Sequence, residues 1–174
     1  MMPSPLERLI AVDEIQRLKA RYVRHLDAHD WPGLARLFTP DARLTVPSWA
    51  ESKALPEALA AFAETMAPIE SVHMATMPEI EVSTTDRASA IWQMTDRLYH
   101  PVEDSADLYT LVHGFGHYAE RYRRIGSEWL ICEMILTRDR RDDAGRVRKI
   151  YGAATVNAGS PSAATTAASS TVLE

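Results

Sequence analysis

Residues 108–140, LYTLVHGFGHYAERYRRIGSEWLICEMILTRDR, determine the fold that we predict for this chain. The two runs over 108–124 and 128–140 are rich in β-branched and aromatic residues and are separated by a Gly-Ser pair, a pattern typical of two strands joined by a tight turn. The run before them, ASAIWQMTDRLYH at 88–100, alternates apolar and polar residues as a strand with one buried face does. These runs predict long antiparallel strands that are neighbours in one sheet.

Shorter extended segments complete the predicted sheet. Residues 42–46 form a short strand early in the chain, and residues 71–75 and 79–82 are two short pieces on either side of a proline. At the other end, residues 142–145, DDAG, predict a turn. A last short strand is expected over residues 146–151.

Three helices are predicted before the long strands. Over residues 6–26, apolar residues recur at helical spacing with charged residues between them. Asp30 is a good N-cap for a second helix, which runs through Leu37 and ends at residues 39–41 because proline disfavours helix in the residue before it. Residues 55–66, LPEALAAFAETM, form the third helix.

Helices followed by long antiparallel strands are typical of the α+β class. We expect a cone-shaped, curved antiparallel or mixed sheet packed against the three N-terminal helices. A pocket between such a sheet and its helices is the default place for a ligand. A single domain is predicted over residues 1–151. The tail over residues 152–174 is rich in Ala, Ser and Thr and has little to bury.

The composition argues against several classes of function. The chain has 174 residues and a net charge of −5, so it lacks the basic face that nucleic-acid-binding proteins need. Its single cysteine, Cys132, cannot form an internal disulfide, and no run approaches the ~20 apolar residues of a membrane-spanning helix. The early charges are unlike a signal peptide. We therefore expect a cytoplasmic protein that contacts neither nucleic acid nor membrane.

Asp96 interrupts an apolar stripe. The even-numbered residues of 88–100 include Trp92 and Met94, and strand alternation places Asp96 on the same inward face. A carboxylate on an apolar face is costly unless a charge or a hydrogen bond meets it. Asp96 is therefore either the structural partner of a buried cation or a functional group, and the pattern alone does not choose.

Arg138 ends a second apolar stripe. In residues 128–140 we expect the even positions to face inward, which places Leu130, Cys132, Met134 and Leu136 before Arg138. A guanidinium group there can close the mouth of a pocket, hold a substrate oxygen or pair with Asp96. The predicted substrate contacts are Arg138, Trp92, Met94, Phe115 and His117.

His73 is a weak signal by itself. It lies in SVHMATM, where a lone histidine is more often a core residue than a catalyst, although imidazole can take and return a proton near neutral pH. Tyr22 and Asp27 lie near the end of the first helix, and their spacing corresponds to about 140° of rotation, so they do not share a helical face. They can flank one cavity if the chain unwinds near Ala28.

The spacing of the other histidines does not support a metal site. His25 and His29 have the spacing of a chelating helical pair, but the helix is expected to end between them. His113 and His117 share a strand face and would lie ~13 Å apart at ~3.3 Å per residue, too far for one metal. We predict no metal and no cofactor. The glycines of HGFGH, residues 113–117, are expected to let the strand bend or to allow a close approach to the sheet.

Three segments together resemble a known family: the element order with LKARYVRHLDAHDW at 18–31, VHMATMPEIEV at 72–82 and MTDRL at 94–98. They resemble the nuclear-transport-factor-2-like superfamily of SnoaL-like domains, whose fold is a cystatin-like α+β barrel. The similarity covers about residues 6–140. Within it, the chain looks most like the branch with scytalone dehydratase and bile-acid 7α-dehydratase. In the bile-acid enzyme a tyrosine, two aspartates and a histidine form the site, and each has a same-type match here, at Tyr22, Asp27, Asp96 and His73.

The resemblance implies a cofactor-independent lyase, with water elimination as the first choice of reaction. His73 would remove an activated proton and return it to a leaving hydroxyl, while Asp96 and Asp27 hold its tautomer. Tyr22 would donate a hydrogen bond to the substrate carbonyl. The substrate would be a small hydrophobic, carbonyl-bearing polycyclic or aromatic compound.

Other functions remain open from the sequence. Isomerisation and cyclisation need the same groups as elimination. A non-catalytic role, as a small-ligand carrier or as a subunit like the small β-subunit of ring-hydroxylating dioxygenases, would gain if Asp96 were paired with Arg138 away from any cavity. The resemblance also implies a homo-oligomer, a trimer or a dimer, formed through the open face of the sheet.

Overall fold

The computed structural model describes residues 1–148 and contains three helices and six strands in that range. The helices are α1 (Pro5–Asp27), α2 (Trp31–Ala35) and α3 (Leu55–Met66). The strands are β1 (Phe38–Thr45), β2 (Lys53–Ala54), β3 (Glu70–Thr84), β4 (Arg87–Pro101), β5 (Leu108–Ile125) and β6 (Glu128–Arg148). The predicted domain boundary at residue 151 and the tail lie outside the described residues and stay predictions.

The six strands form one mixed sheet in the order β2-β1-β6-β5-β4-β3. β1 pairs with β6 in parallel, and every other neighbouring pair is antiparallel. The long strands carry several register shifts, which bend a sheet and increase its twist. The sheet is curved but not closed into a barrel, since β2 and β3 are its edges. The predicted α+β class, with three N-terminal helices against a curved sheet, is confirmed.

The first helix begins at a capping box. The Ser4 hydroxyl accepts a hydrogen bond from the Glu7 backbone N–H, and the Glu7 carboxylate accepts one from the Ser4 backbone N–H. The helix buries one face, including Ile15, Leu18 and Leu26, against the sheet. None of the helices in the described range is long and apolar enough to cross a membrane.

The second helix is shorter than the sequence predicted. Asp30 caps it as expected, accepting a hydrogen bond from the Gly33 backbone N–H at 2.8 Å. The helix ends at Ala35 rather than continuing through Leu37, and the chain enters β1 at Phe38. Phe38 is paired with Ile131 of β6 in the sheet, so a non-local strand pairing overrides the local helical pattern.

Two predicted breaks between strands are bulges inside continuous strands. The segments 71–75 and 79–82 belong to β3, with a register shift between Thr76 and Glu79 and a positive φ of 47° at Met77. The turn predicted over residues 142–145 was wrong, because β6 runs through it with a register shift opposite Thr110 and Val112. Residues 146–148 continue β6, and residues 149–151 lie outside the described part.

A further bulge corrects the predicted inward face of β6. Arg121 pairs with Glu133 and Tyr122 pairs with Ile131, so Cys132 is the extra residue and the alternation changes phase there. Before the bulge the odd positions face inward, and Ile131 is fully buried while Leu130 is only half-buried. The prediction that Leu130 and Cys132 face inward was therefore wrong. The inward orientation predicted for Met134, Leu136 and Arg138, which follow the bulge, is confirmed.

Candidate active site

A cavity of about 420 Å³ lies between the concave face of the sheet, α1, α3 and the chain that follows β1. Its wall is mostly apolar and includes the Trp49 and Phe62 rings, whose centroids are 5.3 Å apart. The polar side chains of its wall come from six elements and the loop after β1: Tyr22, Ser48, Thr65, His73, His100, Tyr118, Arg138 and Arg141. An apolar pocket with a few convergent polar groups suits a small hydrophobic molecule that carries oxygen atoms.

Asp27 holds the His73 ring at one nitrogen. Asp27 is the last residue of α1, and its Oδ1 lies 2.6 Å from His73 Nδ1. The same carboxylate accepts the His73 backbone N–H at 3.0 Å and the Ser71 hydroxyl at 2.8 Å. Because an ionised carboxylate only accepts hydrogen bonds, we assign the proton of the neutral ring to Nδ1. Nε2 then has a free lone pair for a proton on a molecule in the cavity.

The inward orientation predicted for Asp96 is confirmed. Asp96 is 1% exposed and lies directly opposite His73 in the pairing of β3 with β4. Its carboxylate forms a bidentate ion pair with Arg138, with Nη1 to Oδ1 at 3.1 Å and Nη2 to Oδ2 as the second bond. Asp96 Oδ2 is 3.8 Å from His73 Nε2, beyond hydrogen-bond distance. Of the two carboxylates expected to hold the His73 tautomer, only Asp27 is bonded to the ring.

Gly114 makes the contact between Asp96 and Arg138 possible. Asp96 lies opposite Gly114 of β5, and Arg138 lies opposite Gly116, the next inward-facing residue of the same strand. The Arg138 side chain therefore passes over Gly114 to reach Asp96. A Cβ atom at Gly114 would lie 1.8 Å from Arg138 Nη1 and 2.4 Å from Asp96 Oδ1. The close approach predicted for the HGFGH glycines is therefore confirmed at Gly114.

We expect Gly114→Ala to keep the fold, lower the free energy of unfolding by about 1–3 kcal/mol and reduce turnover, because the added methyl group separates the buried ion pair. Urea unfolding and steady-state kinetics measure the two effects. His113→Ala is the matched control, since His113 is the adjacent residue and points to the other face of the sheet. Equal stability and turnover of Gly114→Ala and the wild type would contradict this role of the glycine.

Two tyrosines meet at the base of the cavity. The Tyr22 and Tyr118 rings are 5.9 Å apart, edge to face, and both side chains line the cavity. Burial is the main cause that raises the pKa of both hydroxyls well above the usual range for tyrosine. Both groups therefore stay protonated at neutral pH and can donate hydrogen bonds.

A buried ion pair lies behind the two tyrosines. Lys19 and Glu120 are 1% and 2% exposed, and Lys19 Nζ is 2.5 Å from Glu120 Oε1. The ammonium group also lies 3.4 Å from the centroid of the Tyr118 ring and 4.1 Å from that of Tyr22. Burial lowers the pKa of Lys19, against the raising effect of Glu120. The pair holds the two rings from the side opposite the cavity.

The predicted substrate contacts divide into three groups. Arg138 lines the cavity. Trp92 and Met94 face inward as predicted, but they are buried in the core and do not line the cavity. The predictions for Phe115 and His117 were wrong, because both occupy odd positions of β5 and point to the outer face, while glycines occupy the inward positions beside them.

Three of the other histidines, His25, His29 and His113, have structural partners outside the cavity. His25 Nδ1 is 2.8 Å from Asp30 Oδ2, and His29, with a positive φ of 53°, stacks on Trp31. His113 Nε2 is 2.8 Å from Thr95 Oγ1 on the outer face of the sheet. In residues 1–148 no three His, Cys, Asp or Glu side chains are grouped closely enough to hold a metal ion.

Among the cavity residues that were not identified from the sequence are three that carry a ring or a charge on the sheet: Tyr118, His100 and Arg141. Tyr118 and His100 occupy inward positions of β5 and β4, so the alternation that identified Asp96 was sufficient to find them. Arg141 gave no such signal. A bulge at Asp139 changes the phase of β6, so that Arg138 and Arg141 both reach the cavity.

Comparison with known proteins places this architecture among proteins with related folds. The family model described as a SnoaL-like domain matches residues 7–135. The probable cyclase FGR4 of Gibberella zeae is 27% identical over an alignment of 140 residues, and the match covers 71% of this chain and 88% of that protein.

Two solved structures share the fold at low sequence identity. A putative scytalone dehydratase from Novosphingobium aromaticivorans superimposes with a TM-score of 0.70 at 17% identity, over 80% of this chain and 91% of that chain. A hexachlorocyclohexane dehydrochlorinase, LinA type 2, superimposes with a TM-score of 0.70 at 20% identity, over 88% of this chain and 99% of that chain. These two likenesses concern the fold alone.

Proposed function

The chain belongs to the SnoaL-like domain family, and we propose that within this family it is a cofactor-independent acid/base lyase. The observation that carries the proposal is the Asp27–His73 pair at the wall of an apolar cavity, with two protonated tyrosines at its base. The family match and the similarity to a protein named as a cyclase support an enzyme of the lyase or isomerase type. The finer assignment, a dehydratase of a hydrophobic carbonyl compound, rests on the arrangement of His73, Asp27 and the two tyrosines at the cavity.

His73 Nε2 is the proposed base. It takes a proton from the carbon next to the substrate carbonyl, and the electron pair of that C–H bond moves onto the carbonyl oxygen as an enolate. Asp27 stabilises the imidazolium that forms, as a carboxylate does in other histidine pairs. When the enolate collapses, the C–O bond to the β-hydroxyl breaks and His73 returns its proton to that oxygen. The products are water and a conjugated enone.

Tyr22, with Tyr118 beside it, is the proposed donor to the enolate oxygen. A donor fixed in place before the reaction stabilises the charge that develops in the transition state. The raised pKa of both hydroxyls keeps them protonated, so each carries an O–H that can be donated to a bound molecule. Arg138 and Asp96 form a neutral pair beside Nε2, and the Asp96 carboxylate at 3.8 Å adds electrostatic support for the imidazolium.

Isomerase and cyclase activities use the same groups, and only the leaving group of the substrate separates them from elimination. The non-catalytic alternative, a ligand carrier or a dioxygenase β-subunit-like protein, would be supported by an Asp96–Arg138 ion pair remote from any cavity. The pair exists, but Arg138 lines the cavity and Asp96 lies across from His73. This arrangement favours the enzyme.

The test of the proposal is a screen of hydroxylated ketosteroids and polyketide-like ketones with a β-hydroxyl group. Elimination produces a conjugated enone, whose new ultraviolet absorbance is followed in time and whose mass is lower by one water. Enzyme-dependent loss of water supports the proposal. Binding of these ketones without any conversion would contradict it and favour the carrier.

We expect Tyr22→Phe to lower kcat by about 10²–10³-fold with a smaller change in KM, because the hydroxyl donates mainly in the transition state. Steady-state kinetics on the ketone that the screen identifies measures both constants. Tyr99→Phe removes a hydroxyl outside this cavity and serves as the control. A kcat of Tyr22→Phe that equals the wild-type value would exclude Tyr22 as the donor.

We also propose that the protein is a cytoplasmic homo-oligomer, either a trimer or a dimer. The outer face of the sheet exposes several large apolar side chains, which association of a trimer or dimer would cover: Val72, Met74, Ile91 and Ile135. Sedimentation velocity of the full chain gives the number of copies.

A further inference from the structure

The rim of the cavity carries a cation without an acidic partner in the part of the chain that the structure describes. Arg141 is exposed, lines the cavity and forms no ion pair or hydrogen bond there. Its neighbour Arg140 points to the other face of β6, where its Nε is 2.7 Å from Asp142 Oδ1. The two arginines are adjacent in sequence, but one is neutralised and the other faces the cavity.

The second unpartnered group of the same cavity is His100. It occupies an inward position of β4, and its Nε2 is buried without a hydrogen-bond partner among residues 1–148. A buried ring nitrogen without a partner is unfavourable, and a ligand oxygen at this position would satisfy it. His100 lines the cavity together with Arg141.

The charges of the cavity wall have one sign. None of the side chains that line the described cavity is a carboxylate. Asp27 is bonded to His73, and Asp96 is neutralised by Arg138. Arg141 therefore places a positive charge at the rim that no carboxylate in the cavity wall balances, because Asp27, although bonded to His73, does not itself line the cavity.

We propose that Arg141 and His100 form an anion-binding subsite, and that the substrate is a ketone that also carries a carboxylate. The assignment of the carboxylate to the substrate rests on the proposed function, whereas the subsite itself does not. Arg141 contacts the carboxylate at the rim, and His100 donates a hydrogen bond from Nε2 to an oxygen of the bound molecule. The ring system of the substrate packs against the apolar wall that lies between this subsite and the Tyr22–Tyr118 pair.

The test uses 6-acetyl-2-naphthoic acid and its methyl ester as probes, since they differ in charge but share the ring system and the ketone. Isothermal titration of the full chain at pH 7 and low ionic strength measures both dissociation constants. We expect the wild type to bind the acid roughly tenfold more tightly than the ester, with a preference that shrinks as salt increases. Equal affinities of the wild type for the two probes would overturn the proposal.

Arg141→Gln and Arg140→Gln are a matched pair of variants. Both remove one positive charge from β6, but only Arg141→Gln removes it from the cavity. We expect Arg141→Gln to abolish the preference for the acid and to leave the affinity for the ester within about twofold, while Arg140→Gln keeps the preference. If both variants reduce the preference equally, the effect is one of overall charge and the subsite is wrong.

His100→Leu and His100→Gln test the second group. We expect His100→Leu to weaken binding of the acid about three- to tenfold and His100→Gln, which keeps a donor, to restore most of it. Equal binding by His100→Leu and the wild type would remove His100 from the subsite.

The subsite and the lyase activity can fail separately. We expect His73→Ala to keep the preference for the acid, because binding needs no proton transfer. If the protein converts no hydroxy ketone but prefers the acid in a way that depends on Arg141, the lyase proposal is wrong and the subsite is supported. If the protein converts neutral hydroxy ketones but binds the acid and the ester equally, the subsite is wrong and the lyase proposal is supported.

Discussion

Replacing His73 with alanine is expected to lower kcat by about 10²–10⁴-fold, because the proposed reaction loses the group that both takes and returns the proton. The fold should persist. The Asp27 carboxylate still accepts the Ser71 hydroxyl and the backbone N–H of residue 73, so no buried acceptor is left without a partner. Initial rates on the hydroxy ketone found in the screen, with circular dichroism as a check of folding, give the result.

The control for His73→Ala is His113→Ala. Both variants remove an imidazole from a strand of the same sheet, but His113 lies on the outer face. Asp27→Asn is a second variant with a smaller expected effect. It removes the charge that stabilises the imidazolium but keeps the imidazole ring, so it should lower kcat less than His73→Ala does. Unchanged turnover in a folded His73→Ala protein would refute the acid/base role of His73.

Replacing Lys19 with methionine is expected to lower the free energy of unfolding by about 3–5 kcal/mol, the largest effect on stability that we predict. Methionine has a similar length, so little volume is lost, but Glu120 becomes a buried charge without its counter-ion. Lys19 and Glu120 are 1% and 2% exposed, so water cannot replace the lost partner. Guanidinium unfolding followed by tryptophan fluorescence measures the change.

A double variant separates the loss of the ion pair from simple loss of packing. In Lys19→Met with Glu120→Gln, no charge remains buried, and the glutamine can still accept the hydrogen bond that Tyr122 donates to residue 120. We expect it to recover most of the lost stability. If the double variant is as unstable as Lys19→Met, packing rather than charge is the cause.

The same pair of variants also reports on the cavity. Lys19 contacts the Tyr22 and Tyr118 rings on the side away from the cavity, so it acts on the reaction through their positions. The double variant should therefore fold well but show a reduced kcat, since the two hydroxyls lose a rigid support.

Local patterns in the sequence were sufficient for the fold class and for part of the site. Helical periodicity predicted the first helix to within one residue at each end, because its caps and its buried face are local features. Strand alternation in 88–100 predicted that Asp96 is buried, since side chains of a regular strand alternate between two faces. Applied to residues 108–124, the same rule would have identified Tyr118 and excluded His117.

What the sequence by itself determined is therefore the α+β class, the Asp30 cap of α2 and the inward or outward orientation of side chains in regular strands. Only the tertiary structure decided the rest. Asp27 meets His73, and Lys19 meets Glu120, across long separations in sequence. The bulges at Cys132 and Asp139 decide which residues of β6 face inward, including Arg141. The physical reason is that these features depend on non-local geometry. A bulge depends on the register between two strands, and a long-range ion pair depends on where a helix packs on the sheet. Those are set by the packing of the whole core and leave no periodic signal in either segment alone.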